Sequence, residues 1–225
     1  MSLPPDPVTR FRAIIFDLGG VVLGSPLPAI AAYETQTGLP PHFVARLVVE
    51  GGDDGPWARL ERGELDAQAF GAAFEQQAVA AGCRLDGASL LGRIADATVV
   101  RAPMLTAVRR LRDAGLRVAA LTNAWATPDR ESRVASLAHE FDCFVESFRV
   151  GMRKPEPRIY ELVCRRLDVQ PAAAIFLDDL GGNLKPARAI GMTTIKVGDA
   201  APAIAELERL LDVSLQASVE PERHT

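Results

Sequence analysis

Five short apolar runs punctuate the chain: Ala13–Phe16, Arg117–Leu121, Cys143–Val145, Ala174–Leu177 and Thr193–Val197. Runs this short and this continuous read as strands buried on both faces. Other segments space their apolar residues with a helical period. Pro103 to Ala114 sets Leu105, Val108 and Leu111 on one side, opens on a proline suited to a first turn, and precedes Gly115. Pro157 to Leu167 carries Ile159, Tyr160, Val163 and Leu167; Leu184 to Ile190 stops at Gly191; Ile204 to Leu211 carries Leu207 and Leu210. Buried strands alternating with amphipathic helices predict parallel β-α-β units, hence an α/β doubly wound parallel sheet.

The interval between Asp17 and Arg117 breaks this rhythm. It holds helical patterns at Ala29–Thr35, Pro41–Val49, Ala67–Ala81 and Ala88–Val99, with no convincing strand. Gly51–Gly55 interrupts them with glycines and acids and predicts an exposed loop. The expected division is a core of residues 10–23 and 101–213, a helical cap of 24–100, and flexible termini at 1–9 and 214–225.

Hydrophobic residues make up 48% and charged residues 24%, an ordinary globular mixture. The net charge of -4 gives no general attraction to nucleic acid or anionic membranes, so neither is expected as a partner. Any anion site must therefore create its own local positive field. Cys83, Cys143 and Cys164 are odd in number and widely spaced, which suggests neither a disulfide framework nor a zinc site. The proline-rich start lacks a signal-peptide pattern, and no stretch reaches the roughly 18 apolar residues of a membrane span. A cytoplasmic protein is the expectation; a homodimer stays open.

In parallel sheets, ligands gather beyond the carboxyl ends of the strands. Asp17 stands there after the first run, Thr122 and Asn123 after the second, Asp178 and Asp179 after the fourth, and Lys154 follows the third by a loop. Three carboxylates at one edge repel one another unless a cation lies between them. Hard oxygen ligands of this kind suit Mg²⁺. Taken singly, Asp17 and the aspartate pair read as turn or helix caps, Thr122-Asn123 as a common loop pair, and Lys154 as a surface lysine. Together, a carboxylate nucleophile, a metal and a phosphate clamp point to phosphoryl transfer. The glycine pairs Gly19-Gly20 and Gly181-Gly182 do not make a dinucleotide fingerprint and suggest close backbone approach to a ligand.

Phe16-Asp17-Leu18-Gly19-Gly20-Val21-Val22 resembles the first motif of the haloacid dehalogenase-like superfamily, and Leu121-Thr122-Asn123 resembles the second. The stretches from Gly151 to Tyr160 and from Phe176 to Arg188 are similar to the third and fourth. They look closest to the N-terminal phosphatase domain of soluble epoxide hydrolase and its bacterial single-domain relatives. The resemblance spans Ile14 to Val197. It implies that Asp17 is the nucleophile, forming an aspartyl-phosphate, and that Asp17, the Gly19 carbonyl, Asp178 and Asp179 hold Mg²⁺. It further implies that Thr122, Asn123 and Lys154 clamp phosphate, that Asn183 supports the ligands, and that the substrate is a small phosphorylated metabolite.

One position departs. Phosphatases of this family usually carry a second aspartate two residues after the nucleophile as general acid and base, and here Gly19 stands in its place. Such help is worth roughly 10²–10⁴-fold. His42, Asp53 and Asp54 of the cap are the candidate replacements. Two alternative functions follow: a weakly active or inactive phosphate-binding scaffold, and a haloacid dehalogenase-type hydrolase. Trp57 and Trp125 read as packing groups, with the entrance as a second reading for Trp125, which follows the second motif.

Overall fold

The computed structural model describes residues 10–126 and 134–215. Within them, β1 (Ala13–Phe16), β2 (Arg117–Thr122), β3 (Cys143–Glu146), β4 (Ala174–Asp178) and β5 (Thr193–Lys196) form one sheet. Its order is β3-β2-β1-β4-β5, and every neighbouring pair is parallel. The strand that ends on Asp17 is therefore central, between those that end on Thr122 and Asp178. Register sharpens this: Phe16 pairs with Leu177, so Asp17 and Asp178 leave the sheet side by side.

Ten helices accompany the strands among the described residues. Five make up the insertion that follows β1: α1 (Leu27–Thr37), α2 (Phe43–Gly51), α3 (Pro56–Glu61), α4 (Ala67–Ala80) and α5 (Gly87–Asp96). The others are α6 (Ala102–Asp113), α7 (Ser147–Val150), α8 (Pro157–Arg166), α9 (Gly181–Ala189) and α10 (Ala200–Leu211). None of the described helices is long and apolar enough to cross a membrane.

Side chains of a strand alternate between its faces, and both faces here are apolar. Ile14 and Phe16 pack with Met104, Val108 and Leu111 of α6 and Leu207 of α10. Ala13 and Ile15 pack with Ile159, Tyr160 and Val163 of α8 and with Leu184 and Ala187 of α9. The inserted helices bury a third cluster of their own, built on Tyr33, Phe43, Leu47, Phe70, Phe74 and Leu90. Phe70 and Phe74 stack with ring centroids 5.0 Å apart. Asp66 and Asp86 cap α4 and α5 by accepting from the backbone N–H groups of Ala69 and Ser89. The insertion joins the sheet through two adjacent segments, where Gly24 donates to the Val99 carbonyl and Arg101 to that of Val22.

The structure corrects the sequence reading at several points. Gly51–Gly55 is not an open loop: α2 runs to Gly51, a 3₁₀ turn spans Gly52–Asp54, and α3 starts at Pro56. Gly55 is buried, and a Cβ there would stand 2.7 Å from the Gly51 Cα. Helix α3 is too short to display a period, and Pro56 at its first turn was its main signal. Leu215 is buried and its backbone N–H donates to Glu208, so the chain past residue 213 stays packed through this leucine. Residues 1–9 and 216–225, including His224, lie outside the described residues.

Candidate active site

Asp17 emerges from β1 with a buried carboxylate. Its Oδ1 accepts from the Leu18 N–H at 2.7 Å and lies 2.8 Å from the Lys154 ammonium. That ammonium is only 1% exposed and also donates to Asp178 Oδ2 at 2.7 Å. Asp178, fully buried, accepts further from the Leu180 N–H and from Asn183 Nδ2, which sits 3.1 Å from each carboxylate oxygen. Asp178 thus organises the start of α9 and at the same time holds Lys154 against Asp17. The Asn183 carbonyl is fixed in turn by the Tyr160 hydroxyl at 2.8 Å.

Asp179 completes the acidic group. Asp17, Asp178 and Asp179 each present an oxygen within 4.8 Å of the others. Burial pushes the Asp17 carboxyl up to about 7, against the pull of Lys154 and with the Asp178 charge adding to the rise. Burial also raises Asp179, and the Asp178 charge again adds. One ammonium faces three carboxylates, and the remaining negative charge is costly in so dry a place. An all-oxygen set with surplus negative charge fits a hard divalent cation such as Mg²⁺.

The two glycines after Asp17 differ. Gly20 has φ +76°, and a Cβ on it would stand 2.2 Å from Asp179 Oδ2, so its close approach is to a site carboxylate. Gly19 has an ordinary φ of -63°, and its Cβ would meet only Pro26 Cδ, at 3.8 Å. A Cβ on Gly181 or Gly182 would meet no atom within 4 Å.

Thr122 ends β2, buried beside this group. The Asn123 side chain is engaged within the protein. Its Nδ2 donates to Glu61 Oε2 at 3.0 Å and to the Lys154 carbonyl at 2.9 Å, while its Oδ1 accepts from the Lys154 N–H at 2.8 Å. Both amide hydrogens are engaged, so this side chain holds the Lys154 backbone rather than reaching for an anion.

A cavity of about 720 Å³ opens between sheet and insertion. Its floor includes Asp17, Gly19, Thr122, Asn123, Lys154 and Asp179. Most of its wall is apolar, with Leu23, Ile30, Val48, Trp57, Leu91 and Ile94. Trp125 lines it together with Trp57, their rings 6.1 Å apart, so both packing groups also face the cavity. His42, Asp53 and Asp54 are exposed and do not line it, which removes the candidate replacements for the missing acid. The insertion instead contributes Glu61, which sequence reasoning passed over. Its clue was Trp57 and Glu61 one turn apart behind Pro56, a pairing realised as Trp57 Nε1 donating to Glu61 Oε1 at 3.0 Å.

A parallel Rossmann-like sheet with acids massed at its carboxyl edge, beneath a helical insertion, defines an α/β enzyme core of the kind that holds a charged ligand above β1. The chain belongs to the haloacid dehalogenase-like hydrolase family, whose pattern residues 11–191 match. Bifunctional epoxide hydrolase 2 of Sus scrofa is 37% identical over 218 residues, covering 91% of this chain and 39% of that protein. Four curated relatives that match over more than 210 residues at 32–38% identity are longer proteins, of which this chain spans 20–39%. The sesquiterpene phosphatase astK of Aspergillus oryzae is 28% identical over 210 residues, covering 90% of this chain and 98% of that protein. A HAD family enzyme of Bacteroides thetaiotaomicron, solved in complex with magnesium and inorganic phosphate, superposes with a TM-score of 0.59 at 21% identity. The superposition covers 84% of this chain and 96% of that one, and shows the common fold.

Proposed function

We propose that this hydrolase is a Mg²⁺-dependent phosphatase that works through an aspartyl-phosphate on Asp17. Its substrate would be a small phosphate monoester whose organic part is largely apolar. The observation that carries the reading is the position of the Asp17–Lys154 pair at the polar floor of a largely apolar cavity.

Asp17 Oδ1 is occupied by Leu18 and Lys154, so Oδ2 is the attacking oxygen. The new Oδ2–P bond forms as the bond from phosphorus to the substrate alcohol breaks. Lys154 and the Thr122 hydroxyl offset charge on the phosphoryl oxygens. Water then attacks the phosphorus, releasing inorganic phosphate and regenerating the carboxylate. Asp17, Asp179, the Gly19 carbonyl and Asp178 (directly or through water) are the groups that would hold Mg²⁺, which when bound offsets charge on the transferring phosphoryl group. No side chain at position 19 protonates the leaving alcohol, and esters of acidic alcohols, which need a proton least, should react fastest.

A panel of phosphate monoesters assayed with and without Mg²⁺ tests this, with Asp17→Asn as the control. Turnover that needs Mg²⁺ and disappears in the variant is expected. Full activity of Asp17→Asn would end the covalent mechanism. A carboxylate nucleophile with no second acid at position 19 also suits halide displacement, and dehalogenation that survives complete chelation would favour that reading instead.

A further inference from the structure

Glu61 is an acid where the packing calls for none. It ends α3 beneath the insertion, is 7% exposed, and its carboxylate accepts from three donors. Trp57 Nε1 serves Oε1, while Arg153 Nε at 2.6 Å and Asn123 Nδ2 at 3.0 Å serve Oε2. Burying a carboxylate is costly, and three good donors offset the cost only while all are in place.

What this acid touches explains its presence. The Asn123 amide grips the peptide groups on both sides of the Lys154 Cα, one through its oxygen and one through its nitrogen. A carboxamide has nearly the same shape when turned by half a rotation, so its partners fix which end goes where, and the Lys154 N–H, the Lys154 carbonyl and the Glu61 carboxylate all select the orientation seen. An acceptor at Glu61 requires Nδ2 to point toward it and leaves Oδ1 to the Lys154 N–H. Turned the other way, Oδ1 would face the Glu61 carboxylate and Nδ2 the Lys154 N–H, and both contacts would repel.

Two packing contacts run beside this chain. Gly63, just past α3, has φ +73° and lies so close to α7 that a Cβ would stand 2.6 Å from the Phe148 carbonyl oxygen. Trp125, two residues after Asn123, packs edge-on against Trp57 of α3. Helix α3 is thus seated on both loops that carry the sheet's contribution to the clamp.

We infer that Glu61 is a positioning residue: it sets the Asn123 amide and through it the placement of Lys154, so that the clamp on Asp17 is complete only when α3 is docked. This rests on reading the Asp17–Lys154 pair as the phosphoryl-transfer site. The docked insertion then does more than roof the cavity, because it completes the lysine that the chemistry uses.

The test compares the parent protein with Glu61→Ala, Glu61→Gln and Gly63→Ala, with the exposed neighbour Glu64→Gln as control. Steady-state kinetics with p-nitrophenyl phosphate and Mg²⁺ is run beside hydrogen exchange followed by mass spectrometry. In Glu61→Ala we expect kcat to fall by about 10-fold or more while KM moves less than about threefold. The same variant should exchange faster in peptides covering 122–126 and 153–156. Glu61→Gln keeps an acceptor and should recover part of kcat. Gly63→Ala changes no residue of the hydrogen-bonded chain but unseats α3 and Glu61 with it, and should reproduce the exchange signature. A rise in KM alone, or faster exchange confined to residues 52–66, would overturn the inference. If the parent turns over no phosphate ester, the phosphatase reading fails, and exchange around Lys154 still decides whether Glu61 positions it.

Discussion

The Oδ2 of Asp179 stands 2.2 Å from the point where a Cβ on Gly20 would project, far closer than unbonded atoms approach. One of the three clustered acids therefore owes its place to a missing methyl group three strands away in sequence. Gly20→Ala would also strain a backbone at φ +76°. We expect this variant to lose about 1–3 kcal/mol of stability in urea denaturation. Mg²⁺-dependent turnover should fall with it, because Asp179 must move aside. Unchanged turnover would mean that Asp179 lies outside the working site.

Gly19 is the opposite case. Its backbone is ordinary and its Cβ would find only a 3.8 Å contact with Pro26, so Gly19→Asp should fold with stability near that of the parent. An acid here would protonate the departing alcohol. Turnover of alkyl phosphates should rise by roughly 10²-fold or more. Turnover of p-nitrophenyl phosphate, whose leaving group scarcely needs a proton, should rise much less. Equal effects on the two ester types would show that leaving-group protonation does not limit the parent.

The raised Asp17 has a consequence for stability. The folded chain keeps a proton on this carboxyl up to about pH 7, whereas the unfolded chain releases it near the ordinary value of 3.8. Across that window the folded state binds more protons, so stability without divalent metal falls as pH rises from about 4 toward 7. A divalent cation binds the ionised form and opposes the trend. Thermal melts should show Mg²⁺ raising Tm little at pH 5 and by several degrees at pH 8. Asp17→Asn should flatten the metal-free slope, and a slope unchanged in that variant would place its origin elsewhere.

Which parts of this site were legible in the sequence follows from how far each interaction reaches along the chain. The strands were readable because burial on both faces leaves continuous apolar runs such as Ala174–Leu177. Asp17, Asp178 and Lys154 were readable because strand ends and motif order mark them. The Asn123 residue was found, but its direction was not, because its partners Glu61 and Lys154 come from other segments. Glu61 itself was hidden by the brevity of α3. His42, Asp53 and Asp54 were chosen by chemical type, and only the folded insertion shows that they face solvent. Local pattern gave the edge of the sheet, while long-range docking decided what stands over it.

The wall of the cavity makes the last prediction. Leu91 and Ile94 of α5 line it together with Ile30 and Trp57, well supplied with carbon and poor in hydrogen-bonding groups. A phosphate fixed on the floor by Lys154 would direct its organic chain along this wall. Each methylene taken from water contributes about 0.8 kcal/mol, or roughly fourfold in an equilibrium. In a series of straight-chain alkyl phosphates, kcat/KM should therefore climb by up to about fourfold per carbon, then level off once the cavity is full. Leu91→Asn should shrink that increment for the longer esters and leave the shortest one nearly unaffected, since a short chain does not reach the wall. A flat series in the parent protein would show that the apolar surface is not where the substrate lies, and would remove the apolar substrate class while leaving the Asp17 chemistry standing.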